Sequence, residues 1–122
     1  MIPKNKISLF ILELIKMTKK GQISWQESFH TPILPDGIER LVDLAYSTTI
    51  KEKSFRLYKY NTKHFTDEYE YYWSERIRFE LIDNDGNSTF EFPYEYSLND
   101  LYDAVRESSS GINEFIDDFF KL

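Results

Sequence analysis

Strict two-residue alternation in the middle of the chain constrains this sequence more than any other feature. Ser54-Phe-Arg-Leu-Tyr-Lys-Tyr60 places Phe55, Leu57 and Lys59 on one side of an extended backbone and Arg56, Tyr58 and Tyr60 on the other. In a second run, Ile77, Phe79 and Leu81 share a face, with Trp73 and Glu75 in phase and Arg76, Arg78 and Glu80 between them. A period of two scatters apolar residues around a helix but lines them up on a strand. Both runs are therefore expected to be strands. Leu41–Ile50 is rich in branched and aromatic residues and joins Ser54–Tyr60 through the polar turn Lys51-Glu-Lys53, which predicts a hairpin. Arms from about 71 to 82 and from 88 to 92 predict a second hairpin. Its turn, Asp83-Asn-Asp-Gly-Asn87, supplies Asn and Gly where positive φ is needed.

The flanks follow a helical period. Ile7, Phe10, Ile11, Leu14 and Ile15 form one stripe, broadened by Leu9 and Leu12. Asn5 is placed to cap this helix and Gly21 to end it. Gln22–Gln26 reads as a short strand with Ile23 and Trp25 inward, and Pro32, Pro35 and Gly37 mark a loop. Near the C-terminus, Ser97-Leu-Asn-Asp100 resembles a capping box, with Asp in place of Glu or Gln. It opens a helix whose inward residues are Leu98, Leu101, Tyr102 and Val105. A last short helix carries Ile112, Phe115, Ile116 and Phe119. The expected fold is α+β: an N-terminal helix, an antiparallel meander of about five strands, and two C-terminal helices packed on one face. The expected core includes Phe10, Trp25, Leu57, Phe79, Leu101 and Phe115.

Length and composition fit a single domain over residues 1–122. Aromatic residues reach 17%, with 10 Phe, 9 Tyr and 2 Trp, so a core is available without covalent staples. There is no cysteine, which excludes disulfides, thiol catalysis and Cys-based zinc sites and fits a cytoplasmic location. The apolar run near the N-terminus is interrupted by Glu13 and followed by lysines rather than a small-residue cleavage site. It reads as an amphipathic helix, and no membrane association is expected.

Charge is unevenly distributed. Residues 1–63 carry 11 basic and 6 acidic side chains, residues 64–94 carry 2 and 8, and residues 95–122 carry 2 and 7. The net charge of -6 argues against nucleic acid as a partner, since phosphate contacts require clustered Lys or Arg. Lys51, Lys53, Arg56, Lys59 and Lys63 are the one local basic run that keeps the option open.

Motifs with chemistry are scarce. His30 and His64 have no motif partner, and there is no His-Glu-x-x-His, phosphate-binding glycine loop or Gly-x-Ser-x-Gly turn. Asp83–Asn87 imitates the start of a calcium loop, but strands flank it and its twelfth position is Tyr94, not Glu. No metal site, cofactor or catalytic residue is assigned, and no calcium or zinc dependence is expected.

The densest segment is Thr66–Glu75, which holds four aromatics among four acids. Continued as a strand, it would put Tyr69, Tyr71 and Trp73 on one side and Glu70, Tyr72 and Ser74 on the other. Tyr and Trp provide large contact areas at low entropic cost. Asp67, Glu68, Tyr69, Glu70 and Tyr72 are therefore the candidate partner-binding residues. The plainer alternative is that the aromatics cover a sheet edge and the acids keep it soluble.

Met17-Thr-Lys-Lys-Gly-Gln-Ile-Ser-Trp25 and Leu98-Asn-Asp-Leu-Tyr102, with a meander between, resemble a pattern of short uncharacterised bacterial proteins. The resemblance implies packing roles for Trp25 and Tyr102 and no activity. The expected function is a small acidic binding module, of the immunity type or an accessory protein of a mobile element, with a basic protein surface as partner. The alternatives are a small-molecule binder and a small enzyme built on carboxylates.

Overall fold

A computed structural model describes all residues, 1–122. The alternating runs form the long central strands β4 (Lys53–Phe65) and β5 (Tyr71–Ile82), paired antiparallel from Ser54↔Ile82 to Phe65↔Tyr71. Before them come helix α1 (Lys4–Lys19) and strands β1 (Gln26–Glu27), β2 (Glu39–Leu41) and β3 (Tyr46–Ile50); after them come β6 (Ser88–Glu91), α2 (Ser97–Ser110) and α3 (Ile112–Phe120). The antiparallel sheet has six strands in the order β1-β3-β4-β5-β6, with β2 also paired to β4. No helix is long and apolar enough to cross a membrane.

One face of the sheet carries the apolar phase. Phe55, Leu57, Ile77 and Phe79 pack there against Ile7, Ile11, Leu14 and Ile15 of α1 and Leu98, Leu101, Tyr102 and Val105 of α2. Trp25 lies in the same core, its Nε1–H donating to Thr18 Oγ1 at 3.0 Å. Phe79 and Phe92 stack at 4.5 Å and Phe55 and Phe79 at 5.5 Å, so aromatics form the middle of the layer. Of the expected core, Trp25, Leu57, Phe79 and Leu101 are buried and Phe10 is partly buried against them. Phe115 is 64% exposed, because α3 buries no residue at all.

Several local expectations are corrected. Residues 41–50 do not form one strand. β2 and β3 lie along the same edge of β4, pairing with Tyr60–Thr62 and Lys53–Leu57, and the chain leaves the ladder between them. Ile23 and Trp25 are buried as expected, but outside a strand. The Ser24 and Trp25 carbonyls accept from the Thr48 and Ser109 hydroxyls instead of a neighbouring strand. Asn5 lies inside α1 and caps nothing, since Pro3 is the N-cap residue. Ser97 likewise makes no capping bond; its hydroxyl donates to Glu95. The Lys51-Glu52 turn takes positive φ at both residues, 48° and 69°, without any glycine. Leu9 and Leu12 point outward from α1 and do not widen its buried stripe.

Candidate functional site

The segment from Thr66 to Glu70 forms the turn between β4 and β5, so the expected strand phase for Tyr69 does not occur. Asp67 explains why. Its Oδ1 accepts the backbone N–H groups of Tyr69 at 2.7 Å and Glu70 at 2.8 Å, the local geometry that makes Asp a turn residue. The Thr66 N–H donates to the Glu70 carbonyl at 2.9 Å and closes the turn. Asp67, Glu68, Tyr69 and Glu70 are thereby gathered at one end of the long hairpin, with Tyr72 opposite His64 in the first rungs of its ladder.

Aromatic side chains crowd this end. Tyr69 is 88% exposed, and Phe65, Tyr71 and Tyr72 are at least half exposed. Tyr72 stacks on His64 at 5.1 Å, and His64 Nε2 lies 2.7 Å from Ser74 Oγ. On the other side of the hairpin the Lys63 ammonium sits 3.9 Å from the Tyr71 ring centre and the Arg40 guanidinium 4.2 Å from that of Trp73. Tyr71 and Trp73 thus lie on the helix side and Tyr72 on the other, the phase expected from the sequence. Strand β6 pairs only with Glu80–Ile82, so the Tyr71–Arg78 stretch of β5 has no strand along its outer edge.

The second face of the sheet holds a polar ladder that sequence reading missed. Arg56 and Glu80 are cross-strand partners and both are buried. Arg56 Nε and Nη2 donate to Glu80 Oε1 at 2.8 and 2.6 Å, and Nη1 donates to the carbonyls of His30 and Gly86, each at 3.1 Å. One guanidinium therefore ties the loop after β1 and the β5–β6 turn to the sheet. Arg78 donates through Nη1 to Glu39 Oε1 at 3.1 Å and to the Tyr58 hydroxyl at 3.0 Å. Glu91 Oε1 lies 2.7 Å from Arg78 Nε but off the line of its N–H, so that contact is a charge pair without a hydrogen bond. Burial opposes the Arg78 charge, but the bonds to Glu39 and Tyr58 outweigh it and raise its pKa. Burial also pushes the Tyr58 hydroxyl up to about 12, against the hydrogen bond from Arg78, which lowers it.

A cavity of about 460 Å³ opens over this ladder, floored by Arg56, Tyr58, Arg78 and Glu80 and walled by His30 and Gly86. Phe29 and Ile33 stand almost fully exposed on its rim. Every charge on the floor already faces an opposite charge, so the floor offers no free anion or cation hole. The signal in the sequence was the out-of-phase triplet Arg56, Arg78 and Glu80. Pairing them required the β4–β5 register, which the turn at residues 66–70 sets.

The basic run dissolves in the structure. Arg56 is buried on the polar face, whereas Lys59 and Lys63 lie on the opposite face, Lys59 near Glu75 at 3.7 Å and Lys63 over Tyr71. In the segment read as calcium-like, Asp83 Oδ1 accepts the N–H groups of Asp85 and Asn87 at 3.0 and 2.9 Å, and the carboxyl is held below its ordinary range chiefly by the Asn87 bond. It forms the β5–β6 turn, as expected. Comparisons of the chain with family models, curated proteins and solved structures find no match.

Proposed function

We propose that this protein is a small cytoplasmic binding module, of the immunity or mobile-element accessory type, which engages a basic protein partner through the end of its β4–β5 hairpin. The observation that carries this reading is the joint exposure of Phe65, Tyr69, Tyr71 and Tyr72 beside Asp67, Glu68 and Glu70, on a turn already ordered by the Asp67 bonds. Preordered aromatics lose little entropy on docking, while the carboxylates orient and accelerate encounter with a basic surface.

The small-molecule reading has the cavity volume in its favour, since ligand pockets span roughly 300–1,000 Å³. Its floor charges, however, are paired with one another. The carboxylate-enzyme reading loses Asp67, whose Oδ1 serves the turn. The test is capture by immobilised protein at low and high salt, with Glu68→Lys/Glu70→Lys and Tyr72→Ala as variants. Asp67 is left intact because its replacement would disturb the turn itself. The expected result is a salt-sensitive interaction that both variants weaken by tenfold or more, on the order of 1.4 kcal/mol. Equal capture by wild type and variants would move the partner surface elsewhere.

A further inference from the structure

Helix α3 is strongly two-faced yet leaves most of its apolar side in water: Ile112 and Ile116 are partly covered, its three phenylalanines much less so. Ile112, Phe115, Ile116, Phe119 and Phe120 form one continuous face at helical spacing, and no residue of the helix is buried. Phe115, Phe119 and Phe120 are 64%, 57% and 79% exposed. With aromatic side chains of roughly 150–250 Å² each, the face offers on the order of 500 Å², at the upper end of what isolated chains expose. By the 100° step of a helix, Asp117 borders this face on one side and Asp118 on the other, with Glu114 behind.

The outer surface of α1 has the opposite character. Leu9 and Leu12 are exposed there, and Lys16, Lys19 and Lys20 surround their C-terminal side. Within one molecule the Asn113–Glu114 side of α3, not its apolar face, meets the end of α1: Thr18–Gly21, Asn113 and Glu114 line one shallow cavity that no apolar residue of α3 enters. Two surfaces that complement each other but do not meet within one molecule can meet reciprocally in a two-fold pair, the first of each copy on the second of the other.

We propose that the protein forms a two-fold dimer in which the apolar face of α3 packs on the outer face of α1 of a second copy, with Asp117 and Asp118 facing Lys16, Lys19 and Lys20. Two such reciprocal contacts bury on the order of 1,500–2,000 Å² in total, within the range of stable interfaces. Pairing α3 with α3 would bring the bordering Asp117 and Asp118 of both copies together, so charge selects α1 as the receiving surface. An anionic membrane is disfavoured for the same reason. The inference is independent of the hairpin surface.

Sedimentation velocity tests it. At ~100 μM, above the roughly micromolar Kd expected at the weak end for this area, the wild type should sediment at twice 14.7 kDa. Phe115→Glu/Phe119→Glu should be monomeric, and at concentrations below the dimer Kd its melting curve should match the wild type's, as both rings are exposed. Lys16→Glu/Lys19→Glu should raise the dimer Kd at least tenfold, and adding Asp117→Lys/Asp118→Lys to the same chain should restore it. A monomeric wild type overturns the proposal. So does a dimer that ignores the lysine reversal, which would place α3 against α3, or a monomer that binds vesicles of anionic lipid through α3.

Discussion

Single side chains in this molecule divide into those the core needs and those that hold separate segments together. Trp25 belongs to the first group: it fills the layer beside Phe79 and donates to Thr18. Trp25→Ala should cost roughly 3–5 kcal/mol in urea unfolding, through lost transfer energy and the cavity left behind. Arg56 belongs to the second. Arg56→Ala strands the buried Glu80 carboxylate and frees two carbonyls, so its cost should also be about 3–5 kcal/mol. Replacing both partners, in Arg56→Met/Glu80→Leu, should recover most of that, because no charge is left uncompensated. A double variant as unstable as the single one would show that the His30 and Gly86 contacts dominate. Gly86 is a sharper case. Its φ of 84° is combined with a Cβ position only 2.4 Å from His30, so Gly86→Ala must both strain the turn and displace the loop. Gly37 has a similar φ but open space around it, so Gly37→Ala should be the milder change in the same thermal melt.

At the level of elements, the hairpin β4–β5 is the spine, and its two faces obey different chemistry. Its helix side is held by apolar burial, its other side by cross-strand polar pairs: Arg56 with Glu80, Tyr58 with Arg78, His64 with Tyr72. Tyr58 makes the polar face sensitive to alkali. Its folded pKa, pushed up to about 12 from an ordinary 10.0, means that the folded state keeps a proton that the unfolded chain gives up first. Tyr102, raised to about 12 mainly by burial and also by Asp43, behaves alike. The stability these two groups contribute is therefore complete below about pH 10 and lost as pH rises towards 12. Phenolate absorbance and circular dichroism recorded together should show the last tyrosines ionising as the fold melts. Tyr58→Phe should make the alkaline loss of stability less steep; an unchanged slope would contradict the raised pKa.

Over the whole molecule, apolar surface is distributed unequally. The sheet, α1 and α2 share one closed core, whereas α3 and the hairpin end leave large aromatic side chains in water. This predicts a separation of effects. Substitutions at Tyr69, Tyr72, Phe115 or Phe119 should leave the melting temperature within a few degrees of wild type, while altering association. A large loss of stability from Phe119→Ala would mean that α3 belongs to the folded core after all. The negative charge of residues 64–122 includes the carboxylates at the hairpin end and on the flanks of α3, the two surfaces proposed for association.

Elements whose period is long and regular were legible from the residues alone. The alternation around Leu57 and Phe79 established the central strands, and the α1 and α2 stripes established the buried faces of two helices, because burial on one side imposes that spacing whatever lies opposite. Turn chemistry was legible at Asp83–Asn87 for a similarly local reason: Asp83 bonds its own backbone. What depended on register or on a missing neighbour emerged only once the elements were packed together. Arg56 and Glu80 are 24 residues apart, and nothing local distinguishes a buried ion pair from two solvated charges until the hairpin places them opposite one another. Phe115 shows the converse. An amphipathic pattern states that a face is apolar, not that this chain supplies its cover, and α3 has the pattern without the cover. The hairpin end combined both limits, since composition marked Tyr69 and Tyr72 while the Asp67 bonds, not strand alternation, set where Tyr69 lies.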